Sequence, residues 1–169
     1  IAIAYASLDQ LKKAREYYQK AIEMQGDDGN PNHLAFIYKN LGIVEKKSGN
    51  YDEALAMFNN ALKIYLTLSN DYQISDLYYS IGNLYFDQKK YVEAIEEYEK
   101  SLEIRERIQH QVGRCFSLIA MGITYQELNQ HNKAITLLME ADKIADEINM
   151  VTAKNDISQT LSNLYFSIG

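Results

Sequence analysis

The sequence predicts an all-α chain of stacked antiparallel helix pairs, and three observations predict it. The 169 residues include one proline and only eight glycines, so little in the chain breaks a helix. Gly42, Gly82 and Gly122 stand 40 residues apart, each after a bulky apolar residue (Leu41, Ile81, Met121). Within each period the apolar and small positions fall three and four apart, which is the spacing of a helical stripe.

Further columns keep the same register. Ala2 and Ser162 continue the small column outward from the glycines. Twelve residues after it stands alanine: Ala14, Ala54, Ala94 and Ala134. Four beyond that is a large residue (Tyr18, Phe58, Tyr98, Leu138), and three beyond again a small one (Ala21, Ala61, Ser101, Ala141). Tyr5, Tyr85, Tyr125 and Tyr165 form another column, which only Glu45 breaks. Small residues let two helices approach closely, while large ones fill the space to the next pair. Each period therefore holds two helices, A and B.

The elements follow in order. Helix 1–7 is the second half of an A helix, and helix 11–25 is its B partner, carrying Ala14, Tyr18 and Ala21. The junction Gly26-Asp27-Asp28-Gly29-Asn30-Pro31 is the one strong breaker, and Pro31 suits the first turn of a helix over 31–47. Ser48-Gly49-Asn50 turns into helix 51–68, and Ser69-Asn70-Asp71 into helix 72–88. Asp87-Gln88-Lys89-Lys90 leads to helix 91–109, and Gln109-His110 to helix 111–128. Asn129-Gln130 and Asn149 introduce the last two helices, 131–149 and 151–168. Tyr51, Tyr91 and His131 open B helices. The organisation is a partial repeat 1–30, repeats 31–70, 71–110 and 111–150, and a partial repeat 151–169.

The ends lack the polar helices that normally cap a solenoid. Ile1, Ile3 and Tyr5 at one end, and Leu161, Leu164, Tyr165 and Ile168 at the other, are apolar stripes. The chain is thus expected to be a piece of a longer array, or to associate end to end. Its net charge of −6 argues against nucleic acid as a partner. One cysteine excludes a disulfide scaffold or a thiolate zinc site. No apolar run approaches the roughly 20 residues that span a bilayer, so no membrane association is expected, and the cytoplasm is the default location.

The pattern Tyr-x2-(Leu/Ile)-Gly-x2-Tyr followed by Ala-x3-(Phe/Tyr)-x2-Ala resembles the tetratricopeptide repeat. Tyr78-Tyr79-Ser80-Ile81-Gly82-Asn83-Leu84-Tyr85 with Tyr91-Val92-Glu93-Ala94-Ile95-Glu96-Glu97-Tyr98 is a strong instance. The usual period is about 34 residues, whereas here it is 40. In that length it is similar to the long repeats of kinesin light chains, bacterial peptide-pheromone receptors and their Rap-type phosphatase relatives. HEAT units share the length but not the Gly…Ala…Tyr…Ala register. The resemblance implies a right-handed α-solenoid whose A helices line a concave groove.

Function is then sought in that groove, because the fold alone does not assign one. Repeat two offers Phe36, Lys39, Asn40, Ile43, Lys46 and Lys47 there, and repeat three offers Asp76, Tyr79, Ser80, Asn83, Phe86 and Asp87. Repeat four offers Phe116, Ile119, Ala120, Ile123, Gln126 and Glu127, and the last helix Asp156, Gln159, Thr160, Asn163, Phe166 and Ser167. Aromatics interleaved with amides suit a peptide, whose backbone the amides bond and whose side chains the rings receive. The expected site is Lys39, Asn40, Lys46, Asp76, Tyr79, Asn83, Phe86, Phe116, Ile123 and Asn163. Lys39, Lys46 and Lys47 are either a simple solvated face or a means of neutralising an acidic ligand group. The chaperone-tail clamp known in this family fits poorly, since Ser80 replaces its middle Asn and Phe116 and Ala120 replace its basic pair.

Most tyrosines mark packing columns (Tyr5, Tyr38, Tyr51, Tyr78, Tyr85, Tyr91, Tyr98, Tyr125, Tyr165), so Tyr79 is the one singled out for binding. No phosphate loop, nucleophile elbow or histidine pair points to an enzyme, and no cofactor or metal is expected. His33, His110 and His131 lie at junctions in different repeats. Cys115 begins a helix beside Arg114, which would lower its pKa slightly. The charged run from Glu93 to Arg107 reads as an exposed outer face. Two functions remain: a protein- or peptide-binding module of a regulatory protein, or a scaffold element that stacks on other repeats.

Overall fold

The structure, a computed structural model, describes residues 1–25 and 29–168, except the side chains of 167 and 168. Gly26, Asp27, Asp28 and Gly169 lie outside the described residues, as do the side chains of Ser167 and Ile168, so those assignments stay as expectations. The described residues form nine helices: α1 (Ala2–Ser7), α2 (Leu11–Gln25), α3 (Pro31–Lys47), α4 (Tyr51–Thr67), α5 (Asp71–Asp87), α6 (Tyr91–Arg107), α7 (Gln111–Glu127), α8 (His131–Glu147) and α9 (Val151–Ile168). No strand occurs among them. The odd-numbered helices are the A helices of the sequence pattern and the even-numbered ones are the B helices.

From α3 to α8 every helix has 17 residues. Several end one or two residues earlier than the periodicity alone predicts, and the reason is local. Asp9, Ser69, Lys89, Gln109, Asn129 and Asn149 have φ between 50° and 60°, and Gly49 has φ 79°. Each stands in the left-handed region, which stops the helix. The next N–H then bonds back five residues, as Asn70 does to Tyr65, Gln130 to Tyr125 and Met150 to Ala145. Only Gly49 of the seven is a glycine, so the other six hold a conformation that L-residues resist. Asn30 caps α3 by accepting from the N–H groups of Asn32 and His33, and Pro31 fills the first helical position as expected.

The chain divides into two compact units, Ile1–Leu84 and Tyr85–Gly169. In the first, α1 packs on α2, α2 on α3 and α3 on α4. Ala14, Tyr18, Ile37, Leu41 and Val44 form its core cluster. In the second, α6 packs on α7, α7 on α8 and α8 on α9, around Leu118, Leu138, Ile144, Ile157 and Leu164. Ala14, Ala54, Ala94 and Ala134 are all fully buried, and so are Phe58, Tyr98 and Leu138. The column geometry is visible at Gly42, where an added Cβ would lie 2.7 Å from the ring of Phe58. At Gly122 it would lie 2.8 Å from Leu138. Glycine is required at both places because the B helix presses its large column residue onto the A helix.

Candidate partner-binding face

The expected site residues fall in both units, so each half is described by itself. In the first unit, α3 carries Lys39, Asn40 and Lys46, and α5 carries Asp76, Tyr79 and Asn83. The two helices meet through Lys39, whose Nζ donates to Gln73 Oε1 at 3.0 Å and to Asp76 Oδ2 at 3.3 Å. The lysine charge is therefore already balanced within the chain. Asn40 donates its side-chain amide to the Phe36 carbonyl one turn back, at 2.7 Å. Lys46 lies half-buried in the last turn of α3, where the helix dipole favours a cation. Tyr79 and Asn83 are half-buried on α5.

In the second unit the phenyl ring of Phe86 packs at 5.5 Å, tilted by 57°, against Tyr91. The Tyr91 hydroxyl donates to Glu127 at 3.1 Å. Removal from water, and then the Glu127 carboxylate, push the tyrosine pKa up. Phe116 and Ile123 come from α7 and Asn163 from α9. Asn163 Oδ1 accepts from Gln159 Nε2 at 3.1 Å. Phe116 borders a cavity of about 440 Å³ whose other walls are Asn149, Met150, Val151, Thr152, Ala153 and Asp156. The sequence pattern marks Phe116 for the site but not this cavity, because most of its lining comes from the α8–α9 junction and the first turns of α9.

Two expectations are corrected. The thiol of Cys115 is fully buried in α7 and donates to the Ala141 carbonyl at 3.5 Å. Burial pushes its pKa up, and Asp142 adds to that, so the Arg114 beside it in sequence does not lower it. That guanidinium turns instead to Glu106 and Glu140. The charged run on α6 is not wholly exposed either. Arg105 is only 3% exposed and donates through Nη1 to the Gly113 carbonyl at 3.0 Å and to Ser117 Oγ at 2.9 Å. The signal that would have found it is Gly113, whose column carries His33, Gln73 and Ala153 elsewhere. Glu97 is also largely covered and pairs with Lys100 at helical spacing, while Glu93, Glu96, Glu99, Glu103, Glu106 and Arg107 are exposed as expected.

The histidines stay apart: His33 bonds Gln25, and His131 is half-buried at the start of α8. Among the described residues no group of three or more His, Cys, Asp or Glu is arranged to hold a metal ion. Among them, too, no helix is long and apolar enough to cross a membrane.

Comparison with known proteins agrees with the paired-helix fold. A protein from Arabidopsis thaliana, kinesin light chain-related 1, is 26% identical over 106 residues, covering 62% of this chain and 17% of its own length. Intraflagellar transport protein 70A of Bos taurus is 25% identical over 152 residues, covering 90% of this chain and 21% of its own. The chain thus spans about a fifth of these relatives. Aspartyl phosphate phosphatase F of Bacillus subtilis has the same fold, with a TM-score of 0.90 at 15% identity over 99% of this chain and 44% of that one. The family model described as tetratricopeptide repeat matches residues 1–67 and 73–147. With its 40-residue columns, paired helices and this match over most of its length, the chain belongs to the tetratricopeptide repeat family.

Proposed function

We propose that the A-helix face binds an extended peptide or protein segment of a regulatory partner. The observation that carries this reading is where the phenylalanines lie. Phe36 and Phe116 are 39% and 42% exposed on A helices and Phe166 is 93% exposed, while the B-helix Phe58 is fully buried. In the first unit Phe36 stands with Asn40 and Asn83 on A helices, and in the second Phe116 stands with Gln159 and Asn163; a large apolar side chain left in water among amides suits a peptide in each. Tyr79, Asn83 and Phe86 share α5 and form the centre of this reading.

The test is selection of a random dodecapeptide library on the chain, followed by affinity measurement on the selected peptides. Replacing Tyr79, Asn83 and Phe86 together with alanine abolishes capture under this reading and leaves the helical content unchanged. Replacing the outer-face Glu96 and Glu103 leaves capture intact. Equal capture by the α5 triple variant overturns the site.

A second reading, end-to-end assembly, draws on apolar side chains that are exposed: Ile1 at the start of α1, Ile3 within it, and Val151, Tyr165 and Phe166 on α9. Sedimentation equilibrium decides it. Concentration-dependent dimers that vanish in Tyr165→Asp/Phe166→Asp support assembly, and a monomer at all concentrations removes it.

A further inference from the structure

The two units use equivalent positions differently, and the difference identifies a side chain that a partner brings. In the first unit Lys39 of α3 reaches Gln73 and Asp76 of α5, so one ammonium group sits between two A helices. Eighty residues on, the same three columns hold Ile119, Ala153 and Asp156. The aspartate is kept, while the lysine is lost and the glutamine has become the smallest side chain with a Cβ. Phe36 and Phe116 match in the same alignment.

What the second unit has at that place is the cavity of about 440 Å³ between α7 and α9. Phe116, the buried Ala153 and the exposed Asp156 all line it. Among the described residues the Asp156 carboxylate makes no ion pair or hydrogen bond; its backbone carbonyl alone accepts, from Thr160. The nearest cation along the helix, Lys154, is committed to Asp146.

We infer that this cavity receives a lysine or arginine side chain of the bound peptide, which takes the place that Lys39 holds in the first unit. The aliphatic stem lies along Phe116 and Ala153, and the charged end meets Asp156. The inference rests on the reading of the A-helix face as a peptide surface, and deepens it. The partner segment then carries a basic residue next to apolar ones.

Three acetylated, amidated tripeptides test this, each with phenylalanine at both ends and lysine, norleucine or glutamate between. Each is titrated into the ¹⁵N-labelled chain and followed by amide shifts. The lysine probe shifts Phe116, Ala153 and Asp156 and binds several-fold more tightly than the norleucine probe, which has the same stem without the charge. Asp156→Asn removes that preference, a loss of about fivefold for an exposed ion pair. Ile119→Lys, which restores the internal pairing, also blocks the lysine probe. Equal binding of the norleucine or glutamate probe overturns the inference. Shifts confined to Tyr79, Asn83 and Phe86 overturn it too, but leave the peptide-binding reading standing. If no A-helix amide shifts with any probe, both fall.

Discussion

Arg15 on α2 and Glu45 on α3 form a two-bond pair, Nε to Oε1 and Nη2 to Oε2, each at 2.5 Å. Asn50 adds a third bond to the same carboxylate at 2.7 Å, and Glu45 is only 5% exposed. Both residues depart from their columns, which carry Ile95 with Tyr125 and Ile135 with Tyr165 further along. The break in the tyrosine series thus coincides with a break in the aliphatic column, and the two departing residues form an ion pair with each other. Arg15→Ile alone strands a buried carboxylate and should cost roughly 2 kcal/mol, less than a wholly buried pair because the arginine is partly in water. The double variant Arg15→Ile/Glu45→Tyr should recover most of that loss. Urea denaturation of the wild type, the single variants and the double variant measures the coupling.

Arg105 and Gly113 are a second pair in contact. A Cβ on Gly113 would lie 2.7 Å from Arg105 Cδ and Nε and 2.5 Å from His110 Nδ1. Gly113→Ala should therefore destabilise by about 1–2 kcal/mol, even though alanine favours the helix by about 1 kcal/mol. Arg105→Ala/Gly113→Ala copies Ala145 and Ala153 of the next repeat and should fold at least as well as Gly113→Ala alone. A double variant that is worse than the sum of the singles contradicts the steric account.

The left-handed residues lead to gains in stability. Gln109 with φ 56° and Lys89 with φ 60° adopt a conformation that costs L-residues about 1 kcal/mol or more. Gln109→Gly and Lys89→Gly should each raise the melting temperature by about 2–4 °C, as expected for a gain near 1 kcal/mol in a chain of this size. Calorimetry of the two variants checks it, and a fall in melting temperature refutes it.

Cys115 should be chemically silent in the folded chain. Its raised pKa keeps the thiol protonated at neutral pH, and burial denies access to reagents. The thiol ionises more readily in the unfolded state, so it favours folding below the ordinary thiol pKa, and this contribution is lost as pH rises above it. Labelling by a disulfide reagent at pH 8 should follow the unfolding rate and accelerate with urea. Fast labelling without denaturant would show an open site.

The helical frame was legible because the columns of small residues repeat with no gap: Ala14, Ala54, Ala94 and Ala134 are visible in the sequence and all reach zero exposure. The candidate face was legible by column but not by chemistry. Lys39 reads as a free cation until Asp76, 37 residues away, is seen beside it. That pairing depends on the spacing of two A helices, which no pattern within one helix reports. Arg105 reads as solvent-exposed because Glu103, Glu106 and Arg107 surround it in sequence, and the glycine that makes room for it belongs to the next helix. Lys89 and Gln109 carry no compositional mark of a left-handed turn. Their conformation is imposed by the helices on either side, whose packing outweighs the local penalty.

The left-handed residues at 49, 69, 89, 109, 129 and 149 are spaced by 20, whatever side chain occupies them. Helix length and turn length are therefore tied together like the teeth of a gear. One inserted residue would rotate the following helix by about 100° and turn its apolar stripe away from its neighbour. An insertion of 40 residues would leave every stripe in mesh. Length change in such a chain is quantised: the array tolerates gain or loss by whole repeats far better than by a single amino acid.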